Sequence, residues 1–123
     1  MIDRIISSEG KTTVTGFMVK EENVFCSDGI LREPGLIENI AQTAAAGAGI
    51  KQGDKDEQPL VGFIGGIRYL TIHSLPRVGD ELITKITVEH EVFDATVVNG
   101  RIYKEDQIVA ECELKIFLIK NNL

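Results

Sequence analysis

The chain has 123 residues, of which 43% are hydrophobic and 26% charged, and its formal net charge is −6. A single domain of this size buries most of the surface its unfolded form exposes, and these proportions exclude a disordered or fibrous chain. The acidic balance, with no Lys/Arg cluster, excludes the electrostatic footprint of a nucleic-acid binder.

The opening MIDRIISSEGK has too short an apolar run for a secretory signal, and no stretch approaches membrane-spanning length. Cys26 and Cys112 stand far apart and in no metal-ligand spacing. A cytoplasmic, reduced protein is the expectation. Two histidines without a CxxC or HExxH pattern speak against zinc, and no nucleotide or flavin motif implies a cofactor. Neither a repeat nor a linker divides the sequence, so residues 1–123 read as one domain.

In chain order, two short strands flank a turn at Ser8–Lys11, and the second, Thr12 to Val19, is rich in the Thr and Val that suit a pleated surface. Lys20 to Glu33 reads as a loop around the turn-prone Ser27-Asp28-Gly29. The character then changes. Pro34 suits a first helical position, and Leu36, Ile37, Ile40, Ala41, Ala44 and Ala48 recur at helical spacing up to Ile50. Glu38 is the lone charge of that segment, which predicts a helix buried nearly all round.

Lys51 to Gln58 reads as a solvated loop closed by Pro59. Four strands follow: Gly62–Ile72, Glu81–Phe93, Ala95–Tyr103 and Ile108–Ile119. The last alternates most clearly, with Ile108, Ala110, Cys112, Leu114, Ile116 and Leu118 on one face and Val109, Glu111, Glu113 and Lys115 on the other. Turns are expected at Pro76 to Gly79, and at Asn99-Gly100 or Glu105-Asp106. Two strands, one apolar helix and four strands are best satisfied by an α+β fold, an antiparallel sheet curled around one long central helix.

Three ordered motifs resemble the hydroxyacyl-ACP dehydratases of the hotdog fold. Gly35-Leu36-Ile37-Glu38-Asn39-Ile40-Ala41-Gln42 looks like their central helix, Gly62 to Arg68 like the strand after it, and Leu75-Pro76-Arg77-Val78-Gly79-Asp80-Glu81-Leu82 like their proline turn. The chain is most similar to the dehydratase-like proteins of aryl-polyene-type pigment clusters. In complete dehydratases, the resemblance implies, a histidine removes the α-proton and the helix carboxylate protonates the departing hydroxyl. The family's spacing, counted back from Glu38, places that histidine at Val24, within Val24-Phe25-Cys26-Ser27.

Glu38 and Gln42, one helical turn apart, are the candidate catalytic pair, because a desolvated carboxylate suits proton transfer. Gly35 and Leu36 are candidate amide donors to the thioester oxygen, and Phe25 and Asp28 lie in the loop that would line the site. His90 is expected on an inward face, as a core histidine before a catalytic one, and His73 in a solvated turn. Cys26, with no cation adjacent in sequence, reads as packing. The expected partner is an acyl-ACP or acyl-CoA thioester. The expected activities are a 3-hydroxyacyl dehydratase with a degenerate site, a Glu38 thioesterase, or a non-catalytic acyl-binding subunit. Gly62 to Ile72 carries little charge for an exposed sheet edge, which predicts a homodimer or a larger even assembly.

Overall fold

The structure, a computed structural model, describes residues 1–52 and 60–120. Strands β1 (Arg4–Glu9) and β2 (Thr12–Met18) open the chain. A minute hairpin follows, β3 (Cys26–Ser27) and β4 (Ile30–Leu31), and then helix α1 (Glu33–Gln52). The rest is β5 (Leu60–Ile72), β6 (Glu81–Val92), β7 (Ala95–Lys104) and β8 (Gln107–Lys120). The long strands form one antiparallel six-stranded sheet in the order β1-β2-β6-β7-β8-β5. Its concave side holds α1. This is the hotdog arrangement, one helix wrapped by a curled sheet.

The apolar stripe of α1 explains the wrapping. Leu36, Ile40, Ala41 and Ala44 are buried, and they meet Phe17, Leu82, Ile86, Val98, Ile102, Leu114 and Ile116 from four strands. Gly100 lies in the middle of β7, directly under the helix, where a Cβ would collide with the Ile40 side chain. That glycine is there for close approach. Asn99-Gly100 is accordingly no turn: β7 runs straight through it, and Glu105-Asp106 makes the connection to β8.

Other expectations change for equally local reasons. The helix is longer than the predicted Pro34–Ile50, and its flank carrying Glu38, Gln42, Ala45 and Ala46 is only half-buried in the single chain. His90 is exposed, not inward. The β6–β7 register shifts between Val88 and His90, so the inserted Glu89 flips the alternation and sends His90 to the outer face. Val109 is buried although the sequence alternation puts it opposite the inward set: the β7–β8 register skips it between Ile102↔Ala110 and Tyr103↔Ile108, and His73 and Ser74 both donate their N–H to its carbonyl. Lys51 and Gln52, expected to open the 51–58 loop, instead close the helix, and the rest of that loop with Pro59 lies outside the described residues, as do residues 121–123.

Two turns are built by side chains suited to them. Asp28 and Gly29 join β3 to β4 with φ of 54° and 75°, the paired left-handed conformation of a two-residue hairpin turn. Pro76 to Asp80 is closed by the Asp80 carboxylate, whose Oδ2 accepts the Arg77 N–H at 2.9 Å and whose Oδ1 lies 3.1 Å from Lys104 Nζ. Burial alone would raise the Asp80 pKa. The Arg77 N–H and Lys104 together outweigh it and hold that carboxyl below its usual value.

Candidate functional site

At the start of α1, Gly35 is buried between Phe25 and Leu31. A Cβ there would stand 2.8 Å from both Leu31 Cδ1 and Phe25 Cβ. The loop before the helix is closed on itself by the Arg32 N–H on the Phe25 carbonyl at 3.0 Å and tied to the proline turn by the Leu31 N–H on the Pro76 carbonyl at 2.8 Å. Phe25 and Gly35, both singled out from sequence, are thus in contact range. The Gly35 N–H is not the free donor expected, since it gives its proton to the Arg32 carbonyl at 2.9 Å. Glycine supplies space here. Leu36, the second expected donor, is fully buried in the helix's first turn.

Glu38 and Gln42 lie on the flank of α1 turned away from Ile40, Ala44 and Gly47, as their spacing at 3.6 residues per turn requires. The Gln42 Nε2 donates to Glu38 Oε1 at 3.0 Å. Asp28 stands exposed at the β3–β4 turn, and among the described residues its side chain bonds neither of the two. Val24, at the place of the family's histidine, is 86% exposed. His73 lies on the outer face against Glu111, its Nε2 at 3.2 Å from Oε2. No imidazole therefore accompanies Glu38 within this chain's described residues.

Beneath the pair lies a polar network that sequence reasoning missed. Asn39, Thr43, Thr15 and Thr84 are all fully buried. The Thr84 hydroxyl donates to Asn39 Oδ1, and Asn39 Nδ2 donates to the Met1 carbonyl at 2.8 Å. Thr43 Oγ1 donates to the Asn39 carbonyl at 2.8 Å and lies 2.8 Å from Thr15 Oγ1. The Met1 nitrogen donates in turn to Gln42 Oε1. Each buried polar atom in this chain of contacts has a partner, which is what makes its burial tolerable. The readable signal was Asn39 itself, a polar residue one step from the apolar stripe.

The cysteines are not nucleophiles of this site. Burial, then the Glu22 charge, pushes the Cys26 thiol up, and its Sγ donates to the Lys20 carbonyl at 3.4 Å. Burial pushes Cys112 up to about 11. Among the described residues no three His, Cys, Asp or Glu side chains converge as metal ligands would. A cavity of about 350 Å³ lies under the C-terminal half of α1, lined by Ala44, Gly47, Ala48, Ile86, Val98 and Ile116 with Lys11 and Glu91 among its borders. A groove of about 580 Å³ crosses the convex sheet face between Arg68, Phe93 and Phe117. Neither is bordered by Glu38 or Gln42.

Comparison with known proteins agrees with this geometry at the level of fold. The dehydratase heterocomplex ApeI:P from Xenorhabdus doucetiae superposes with a TM-score of 0.83 at 17% identity, covering 98% of this chain and 83% of that one. A hypothetical thioesterase from Streptococcus pneumoniae, solved with coenzyme A, gives 0.71 at 14% identity over 98% and 88%. The PaaI protein from the phenylacetic acid degradation operon of E. coli gives 0.71 at 18% identity over 94% and 78%. No curated protein matches the chain. Among the described residues no helix is long and apolar enough to cross a membrane. The decisive match is of sequence: residues 1–122 fit the family described as ApeP dehydratase, and the chain belongs to these ApeP-like dehydratases.

Proposed function

We propose that this chain is the carboxylate-bearing, acyl-thioester-binding subunit of a 3-hydroxyacyl dehydratase, acting in the cytoplasm on acyl-ACP or acyl-CoA in fatty-acid or polyene-type synthesis. One observation carries the reading. Glu38 is held by Gln42 on α1 as a proton-transfer carboxylate should be, while the histidine position is the exposed Val24. Dehydration removes a proton from the α-carbon, forms the C2–C3 double bond and expels the C3 hydroxyl as water. Glu38 is suited to giving the hydroxyl its proton. The α-proton needs a base from elsewhere.

A second hotdog chain is the source this reading requires. Strand β5 is one edge of the sheet and exposes Phe63, Ile64, Ile67, Tyr69 and Leu70, so its ladder side and apolar side chains suit pairing with another sheet. A homodimer formed there supplies two Glu38 groups and leaves Val24 at both of the family's histidine positions. A dehydratase-like partner with the histidine would supply the missing base, and the Xenorhabdus doucetiae structure is described as a dehydratase heterocomplex. Both cysteines are free, as a reducing compartment leaves them.

The test is turnover of 3-hydroxyacyl and trans-2-enoyl thioesters by the purified chain, alone and with a histidine-bearing partner. The chain alone should bind the thioester and interconvert the two poorly, because losing a positioned proton-transfer group costs roughly 10²–10⁴ in rate. Full dehydratase turnover by the lone chain, abolished by Glu38→Ala, defeats the reading. Release of thiol from a saturated acyl thioester replaces it with a thioesterase.

A further inference from the structure

The four contacts that end at Glu38 all run in one direction, which the Met1 backbone in the middle and the accepting Glu38 carboxylate at the end both require. A side-chain amide can present either its oxygen or its NH₂ group to a neighbour. A backbone carbonyl only accepts, and a backbone nitrogen here only donates. The Met1 carbonyl therefore requires the Nδ2 end of Asn39, which leaves Asn39 Oδ1 for the Thr84 hydroxyl. The Met1 nitrogen requires the Oε1 end of Gln42, which leaves Nε2 for Glu38.

We propose that Asn39 is a positioning residue for the Glu38 carboxylate. It reads the central sheet through Thr84, holds Met1 in place, and so keeps the Nε2 end of Gln42 seated on Glu38 Oε1. The consequence is chemical. Glu38 Oε1 is occupied by an amide donor, so the exchangeable proton belongs on Oε2, the oxygen left for a substrate. This deepens the dehydratase reading and rests on it for its catalytic meaning, while the geometry itself is testable without substrate.

Burial supports a role beyond packing. Asn39 is fully buried within one residue of the reactive flank, and an apolar side chain would fill that space with no polar group to satisfy. Nothing in the helix's own bonding calls for an amide here. Its two ends are used on two different elements, β6 and the segment before β1.

The experiment is amide-resolved NMR of Gln42 in the full chain, comparing wild type with Thr84→Ser, Thr84→Val and Asn39→Ala. Wild type should show one Gln42 side-chain proton resonance displaced by the Glu38 carboxylate from its free-amide position, and Glu38→Gln should remove that displacement. Thr84→Ser keeps the hydroxyl and should keep the pattern. Thr84→Val keeps the shape but strips the donor, and Asn39→Ala cuts the chain. Both should return the displaced resonance toward that of a free glutamine amide and speed side-chain amide exchange about tenfold or more, as loss of a buried hydrogen-bond partner implies. Packing alone cannot separate Ser from Val in that order. An undisplaced Gln42 resonance in wild type overturns the proposal even if every variant fails to fold. An unchanged Gln42 pair in folded Thr84→Val and Asn39→Ala overturns it too. Absent dehydratase turnover with this pattern intact would instead count against the function alone.

Discussion

Gly100→Ala tests whether the helix bearing Glu38 is held at its depth by one missing side chain. The new methyl would overlap Ile40 Cγ2 and stand 3.2 Å from both Ile40 Cδ1 and Cγ1, and Ile40 is 1% exposed, with no room to swing away. Overpacking of this kind costs about 1–3 kcal/mol. Replacing glycine inside a regular element returns roughly 0.5–1 kcal/mol, so a net loss of about 1–2 kcal/mol is expected. For a chain of 123 residues, an unfolding entropy of about 2.1 cal/mol/K per residue converts this to a fall in Tm of roughly 4–8 °C. Thermal and urea unfolding of four proteins measure it: wild type, Gly100→Ala, Ile40→Ala and the double variant. Ile40→Ala alone should cost about 2–5 kcal/mol. In that background Gly100→Ala should be neutral or mildly stabilising, because the methyl now enters the space Ile40 vacated. The coupling between the two positions should therefore be about 1–3 kcal/mol. Equal effects of Gly100→Ala in both backgrounds would refute the contact and, with it, the account of how α1 is seated.

Further outcomes follow from the same structure. Glu38→Gln should leave acyl-thioester binding in place and lower turnover of the partnered enzyme by roughly 10²–10⁴, read by steady-state kinetics. Asp80→Ala should cost about 1 kcal/mol at neutral pH through loss of the Arg77 cap and the Lys104 pair. Because the folded pKa of Asp80 is lowered, that contribution is present above about pH 4, its unfolded value, and is lost as pH falls through the folded value. Urea midpoints of wild type and variant should therefore converge in acid, and a constant gap would show that charge plays no part. Cys112 should resist alkylation in the native protein at pH 8 and react on unfolding, with its pKa near 11 and its thiol buried. Phe63→Lys, on the exposed β5 edge, should shift the assembly toward monomer in light scattering with little change in protomer Tm.

Much of this protein is legible in one dimension wherever neighbours along the chain decide the outcome. The i, i+4 spacing puts Glu38 and Gln42 together on any helix, and the alternation of Ala110, Cys112, Leu114 and Ile116 turns those residues inward on any one-sided strand. Asp28-Gly29 carries its own turn. Tertiary structure alone decided what depends on residues far apart. The sheet order sets β5 beside β8 and leaves it as one of the two edges, a choice made by non-local pairing. A single inserted residue at Glu89 reversed the face of His90, since a strand's period of two turns any shift by one into an inversion. Asn99-Gly100 has the composition of a turn and the environment of a helix seat, because Ile40, sixty positions away, needs the room. Asn39 and Thr84 are polar and yet fully buried, each satisfied by a partner that only folding brings within reach. Hydrogen bonding is a property of pairs, and the sequence names only one member at a time.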